Sequence, residues 1–328
     1  MPHTVVVGLG RSGAGLHVPV LKRLRAKFPE LIGTQPIVGF DLRTGMALRD
    51  GGVDVVAGSL DRLRALVPPD DTVVHVCTPP ATRVDVLTCL AVQGFRRLVV
   101  EKPVAGDLAA LAAIERLRAG HGLDVVVVTH WLAAALTRRL AALARSGEHG
   151  PLASITVCQD KPRFARAGDP AHADAFDVEI PHALAVALTL AGPAGLVGAG
   201  WTDPQAGPLG GAWISVRHRG GPRTTIRSDL TSPVRRREIT LRLRDTTVVG
   251  HYPVSADDHH AQLRVGAGPR EVFEDEALGA FLLAAYRYFT GAATAPPGEF
   301  AVHAAVVRLL AAARDAARSP EEVPAHAG

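Results

Sequence analysis

The chain is 328 residues long, and a few short stretches carry residue types that could do chemistry. "GLGRSG" places Gly8, Gly10 and Gly13 in the pattern G-x-G-x-x-G, with Arg11 and Ser12 inside the turn. Such a turn suits a pyrophosphate. Gly8 permits the sharp bend, Gly10 lets the backbone come close to the phosphates, and Gly13 lets the next helix pack on the strand. The helix would then present free N–H groups and a partial positive charge to the anion. Asp41 closes the following apolar run. A carboxylate there accepts hydrogen bonds from ribose hydroxyls and repels a 2′-phosphate. The spacing from Gly13 is longer than usual, and the insertion "KFPELIGTQ" explains it. Arg43 could meet a 2′-phosphate, so NAD is favoured and NADP stays open.

Two more stretches end apolar runs. "CTPP" (77–80) offers Thr78 and Pro79 to the same cleft, or is simply a proline-stopped strand. "LVVEKPVAGD" (98–107) runs from apolar residues into Glu101, Lys102 and Pro103. Pro103 holds Lys102 in extended backbone, so its side chain is aimed. An ammonium beside a nicotinamide would polarise a carbonyl or steady an alkoxide. From these residues alone, a solvated strand-end lysine paired with Glu101 is an equal reading.

The elements that must position these groups alternate. Apolar runs at 4–10, 36–42, 53–58, 72–78, 97–102 and 123–130 read as strands. Helical periods follow them, with Ser59 and Asp107 as N-caps and Gly94 as a stop. Pro19 fits the helix over 14–28 only near its first turn or at a bend. Continuous apolar strands alternating with helices predict a doubly wound parallel sheet, the Rossmann arrangement, over 1–129. From 130 to 328 strand-like runs crowd together, interrupted by helical runs near 176–191 and 275–290. That predicts an α+β domain with a mostly antiparallel open sheet. The last helix, 299–319, is open to packing back on the first domain. "RRREITLRLR" alternates Ile239, Leu241 and Leu243 against Thr240, Arg242 and Arg244, a half-buried strand rather than a nucleic-acid patch.

A glycine turn, a "TPP" strand end, "EKP" about twenty residues on and an α+β second half together resemble the Gfo/Idh/MocA family of NAD(P)-dependent sugar and cyclitol oxidoreductases. The resemblance covers nearly the whole chain, and "EKP" after "TPP" is its most specific part. It implies a Rossmann domain, an open-sheet second domain, and a lysine–histidine pair at the substrate. Lys102 and, in "DAFDVEIPHALAVAL", His182 match that pair. The Asp common in the family four residues before the histidine is Val178 here, flanked by Asp177 and Glu179. Pro181 suggests that the helix begins at 180–181, with the acidic residues entering it. Glu179 is preferred to Asp177 as the carboxylate on the substrate side. Asp160 and Trp131 are further candidates for substrate contact, and Glu101 for the cofactor side. His17 is expected either near the cofactor or, as the favoured reading, packed within its helix.

Composition narrows the alternatives. Aromatic residues make up 5% and net charge is +4, which fits neither a base-stacking surface nor a strongly basic one. Cys77, Cys89 and Cys158 form no CxxC pair, so a reducing compartment without disulfides or structural zinc is expected, and no metal. "DDHH" (257–260) is too local to surround an ion. No apolar run reaches about 18 residues, so no membrane span is expected. The N-terminus shows no leader pattern, so the cytoplasm is expected. The open second sheet predicts an apolar face that a homodimer or homotetramer would cover. The resulting expectation is an oxidoreductase moving a hydride to or from a secondary alcohol or ketone of a sugar, aminosugar or cyclitol. A non-catalytic dinucleotide sensor is the alternative of another class. A redox-neutral epimerase or glycosidase-like enzyme with tightly held NAD is a third.

Overall fold

Residues 1–42, 52–163, 174–202, 210–255 and 258–318 are described by the structure, a computed structural model. By contacts the chain divides into two units, 1–133 with 277–307, and 134–276 with 308–328.

The first unit is built on six parallel strands: β1 (His3–Val7), β2 (Val38–Phe40), β3 (Val55–Val56), β4 (Thr72–Val76), β5 (Arg97–Glu101) and β6 (Asp124–Val128). Their order is β3-β2-β1-β4-β5-β6, so the chain crosses from one side of β1 to the other between β3 and β4. That reversal is the switch point at which open α/β sheets leave a crevice. Period-two alternation divides the strands between two cores. Val5, Val7, Val74, Val76, Leu98 and Val100 pack under helices α3 (Leu60–Leu66), α4 (Arg83–Val92) and α5 (Leu108–His121). Val6, Val73, Val99 and Val126 face α1 (Val18–Lys27). Ser59 and Asp107 cap α3 and α5, accepting from the amides of Arg62 and Ala110 at 3.0 and 2.7 Å.

One boundary differs from the expectation. The helix Ala277–Phe289, placed by the sequence with the second domain, belongs to the first unit. Its Phe281, Leu282, Ala285 and Tyr286 are fully buried against Val6, Val73 and Val99. Burying each large side chain among these contributes about 1.5–3 kcal/mol. The last helix, Phe300–Arg318, is shared: Phe300, Ala304 and Val307 enter the first core, and 308–318 count with the second unit. In chain order these two are α9 and α10, after α2 (Pro29–Ile32), α6 (Ala135–Ser146), α7 (Ala175–Val178) and α8 (Ile180–Ala191).

The second unit carries an eight-stranded sheet. Its strands are β7 (Leu152–Asp160), β8 (Ala194–Trp201), β9 (Gly211–His218), β10 (Arg223–Asp229), β11 (Arg236–Leu243), β12 (Thr247–His251), β13 (His260–Val265) and β14 (Glu271–Glu274). All pairings are antiparallel except β7 with β10. β14 is short and half polar, and its residues carry no strand signal in the sequence. One face, with Ile155, Val157, Ile226, Ile239 and Leu241, is buried under α6 and α8. The opposite face is not the apolar one expected. It shows Thr156, Arg227, Arg236 and Arg242 exposed, with Asp160, Glu238 and Thr240 half-buried. Cys158, Trp213 and Val249, half-buried on the same face, make it mixed rather than apolar.

Candidate functional site

A cavity of about 630 Å³ opens at the carboxyl ends of β1, β2, β4 and β5. Its lining includes Gly8, Gly10, Arg11, Ser12, Asp41, Thr78, Pro79, Glu101 and Lys102. These are the residues the sequence proposed for a dinucleotide, apart from two. Gly13 lies behind the wall, and Arg43 is outside the described residues. Gly8 has φ +91°, a conformation that L side chains rarely adopt, and an added Cβ would come within 2.9 Å of the Cys77 carbonyl carbon. A Cβ on Gly13 would overlap the Gly8 carbonyl oxygen. The two glycines therefore let turn, strand and helix come together. Asp41 Oδ2 accepts the Leu9 amide at 2.7 Å, so the carboxylate braces the glycine turn from β2. Thr78 Oγ1 is buried and has no hydrogen-bond partner among the described residues. A cradle closed to Cβ atoms, a carboxylate at the end of β2 and an orphaned hydroxyl on the wall together fit a dinucleotide.

Below this wall lies a polar layer whose members stand far apart in the sequence. The helix after the glycine turn opens with a π turn, Gly13–His17, in which the His17 amide bonds the Ser12 carbonyl at 2.9 Å. Pro19, which has no N–H to donate, sits at the start of α1. The wider turn points His17 into the sheet, where it is fully buried. His17 Nε2 lies 3.0 Å from Glu101 Oε1, and His17 Nδ1 lies 2.9 Å from Nδ1 of His75. His75 Nε2 meets the Tyr286 hydroxyl at 3.1 Å, and that hydroxyl meets Thr4 Oγ1 at 2.7 Å. Burial disfavours a charged His17, yet Cys77 and Glu101 outweigh it and raise the imidazole to about 10. His75 goes the other way, well below its ordinary value, through burial and the charge of His17. Burial alone would raise Glu101. The hydrogen bond and charge of His17, with Lys102 and Arg83, hold it below the ordinary carboxylate value instead.

Arg83 was not anticipated. It is 1% exposed and donates to the carbonyls of Thr78 and Pro103, tying the "TPP" loop to the "EKP" loop. Burial lowers its guanidinium to about 10 against the pull of Glu101 and Cys77. The Lys102–Pro103 peptide is cis. Two signals pointed to this layer. His75 is a lone polar residue in the apolar run "TVVHV", and Arg83 stands one turn after two prolines. Trp131, expected at the substrate, is 3% exposed in the turn His130–Ala133, edge-on to His130.

In the second unit His182 lies in the first turn of α8 and is 7% exposed. Pro181 starts that helix, as the sequence suggested. The neighbouring carboxylates are engaged. Glu179 is buried with Oε1 2.7 Å from Lys161 Nζ. Asp177, in α7, is 2.6 Å from Arg314 of α10, which also meets Asp174 at 3.2 Å. Asp160 ends β7 on the sheet face opposite the helices, and burial raises its carboxyl. In the "DDHH" run Asp257 is outside the described residues, while His260 pairs locally with Asp258 at 3.0 Å. Among the described residues no cluster of three or more His, Cys, Asp or Glu could hold a metal ion. None of the described helices is long and apolar enough to cross a membrane.

A parallel sheet with a glycine turn at its switch point, followed by a mostly antiparallel second sheet, defines a Rossmann-plus-second-domain fold, and solved structures share it. UDP-N-acetylglucosamine 3-dehydrogenase from Acidithiobacillus ferrooxidans matches with a TM-score of 0.75 at 16% identity, covering 97% of this chain and 98% of its own. Levoglucosan dehydrogenase, in complex with NADH and levoglucosan, matches at 0.75 and 15%, covering 97% of each chain. An oxidoreductase from Agrobacterium radiobacter, in complex with NAD+, L-tartaric acid and magnesium, matches at 0.77 and 14%, covering 98% of this chain and 97% of its own. No protein-family model matches the sequence, and no curated protein matches it.

Proposed function

We infer that the protein is an NAD(P)-dependent oxidoreductase acting on a secondary alcohol or ketone carbon of a sugar or cyclitol. The observation that carries this is the position of Lys102 and Glu101 on the wall of the cavity that also holds the glycine turn and Asp41. The resemblance of "TPP" and "EKP" to the Gfo/Idh/MocA pattern supports it, as do fold neighbours that are themselves dehydrogenases. Gly8, Gly10, Arg11, Ser12, Asp41, Thr78 and Pro79 would hold the dinucleotide, whose nicotinamide supplies a hydride acceptor or donor when bound. Asp41 at the end of β2 favours NAD over NADP.

Lys102 directs an ammonium at the substrate oxygen and stabilises negative charge as the alkoxide forms. His182 takes or gives the hydroxyl proton, work suited to an imidazole near neutral pH. Glu179 and Asp177 are already paired with Lys161 and Arg314 and so are not spare for a substrate ammonium. That favours neutral hydroxyls over the aminosugar. Three free cysteines fit a reducing cytoplasm, and the sheet's terminal strands β8 and β14 are natural edges for assembly into a homodimer or homotetramer.

Purified protein is expected to quench or enhance NADH fluorescence on binding. Lys102→Met is expected to lose turnover by about 10²-fold or more while binding NADH as before. Full turnover in that variant rules the mechanism out. A sensor without turnover would bind NADH yet leave the reduced-nicotinamide absorbance unchanged across a panel of sugars and inositols.

A further inference from the structure

The hydrogen-bonded line from Thr4 to Glu101 is unusual for its place. It crosses the α1/α9 side of a sheet whose other positions there are Val6, Val73, Val99 and Val126. Tyr286, His75 and His17 are each 0% exposed, and Thr4 is 3% exposed, so the line stops inside the protein. Glu101 is at its other end, with its side chain 17% exposed on the cavity wall. Burying this many polar groups is costly unless every donor meets an acceptor.

The geometry allows a fully matched arrangement. His17 Nε2 faces a carboxylate oxygen, so it donates. The two Nδ1 atoms face each other, so one imidazole donates and the other accepts. With His17 doubly protonated, it donates to both Glu101 and His75. His75 then donates from Nε2 to Tyr286, and Tyr286 donates to Thr4. Each contact in the line then joins one donor to one acceptor, and the imidazolium is balanced by one carboxylate.

We propose that His17 is a positioning residue, a buried imidazolium that, oriented by His75 and Tyr286, holds Glu101 ionised and fixed on the cavity wall beside Lys102. Other charged or titratable groups around it are Cys77 after β4, Lys102 after β5, and Arg83 at the start of α4. His17, Lys102 and Arg83 give the wall three cations against the single carboxylate of Glu101. That excess suits a site where an alkoxide develops. The raised His17 and depressed His75 agree with this arrangement. The link to Lys102 rests on the function proposed above; the charge of His17 does not.

Histidine-selective nitrogen NMR of the full chain tests the two parts separately. The signal that disappears in His17→Gln is expected to show both ring nitrogens protonated at about pH 8, where an ordinary histidine is neutral. In Glu101→Gln, which leaves Cys77 beside the imidazole, the same signal is expected to lose its proton at a lower pH than in the wild type. A neutral His17 in the wild type, or a deprotonation pH unchanged in Glu101→Gln, overturns the proposal. If His17→Gln does not fold, sequential assignment of the wild type supplies the same signal.

In a folded His17→Gln, kcat is expected to fall about ten- to a hundredfold, the scale of a small misplacement of a catalytic group, with KM for the cofactor unchanged. The alkaline limb of its pH profile is expected to disappear. A wild-type kcat and pH profile in that variant would overturn the positioning role. A charged His17 in a protein that transfers no hydride would remove the dehydrogenase reading and leave the charged line standing.

Discussion

Asp41 Oδ2 and the backbone amide of Leu9 are 2.7 Å apart, so the carboxylate at the end of β2 holds the glycine turn after β1. One side chain thus braces the phosphate cradle and faces the cavity in which a ribose would lie. Its loss should be felt twice, in turn geometry and in sugar recognition. Asp41→Ala is expected to weaken NADH binding about 10- to 100-fold, the worth of a charge-assisted hydrogen bond, and to narrow the preference over NADPH. Fluorescence titration with both nucleotides measures this. Equal weakening for both nucleotides, with the preference unchanged, would show that Asp41 only braces the turn.

Gly13 is a packing position rather than a lining one. Because its Cβ would overlap the Gly8 carbonyl oxygen, Gly13→Ala must move the helix or the turn. The cost is expected to be about 1–3 kcal/mol of stability together with loss of dinucleotide binding. Thermal unfolding with and without NADH separates the two effects. Gly15, where an added Cβ meets nothing within 4 Å, is the control: Gly15→Ala should leave both readings near wild type.

His17 makes stability depend on pH in a stated direction. Its imidazole is raised from the ordinary 6.5 to about 10 in the folded protein. The folded state therefore binds the proton more tightly than the unfolded state. This contribution is complete below pH 6.5 and is lost as the pH rises from 6.5 through about 10. Urea midpoints measured across that window are expected to fall for the wild type and to be flatter for His17→Gln. A wild-type midpoint that is level over that window would contradict the ion pair with Glu101.

Asp177 is expected to matter for stability and not for substrate. Its carboxylate is 2.6 Å from Arg314, and it joins α7 to α10 within the second unit. Asp177→Asn should lower Tm by a few degrees and leave KM for the substrate within about twofold, since a half-buried ion pair contributes modestly. A large rise in KM without a change in Tm would return Asp177 to the substrate.

Much of the fold was legible in the sequence because local signals agreed. The runs around Val5–Val7, Val73–Val76 and Leu98–Val100 are apolar on both faces, as only a covered parallel sheet requires. Ser59 and Asp107 marked helix starts where the structure has them. The lining at Gly8, Asp41, Thr78, Glu101 and Lys102 was legible too, since these residues stand at strand ends of one parallel sheet, whereas Arg83, Asp85 and Cys89 reach the cavity from α4. Order along the chain and strand direction suffice to place such residues on one edge.

What the sequence could not supply were relations between distant residues. Its period placed α9 as a helix but did not say which apolar face would receive Phe281 and Tyr286. It offered Glu179 and Asp177 as free carboxylates, because Lys161 and Arg314 lie far from one or both in sequence. It left Glu101 unassigned, because His17 and His75 are separated from it by 84 and 26 positions and meet only when β1, β4 and β5 are side by side. Strand pattern and turn chemistry are local, and one sequence determines them. Charge state, pairing and burial depend on which groups share a low-dielectric interior, and only the tertiary structure decides that.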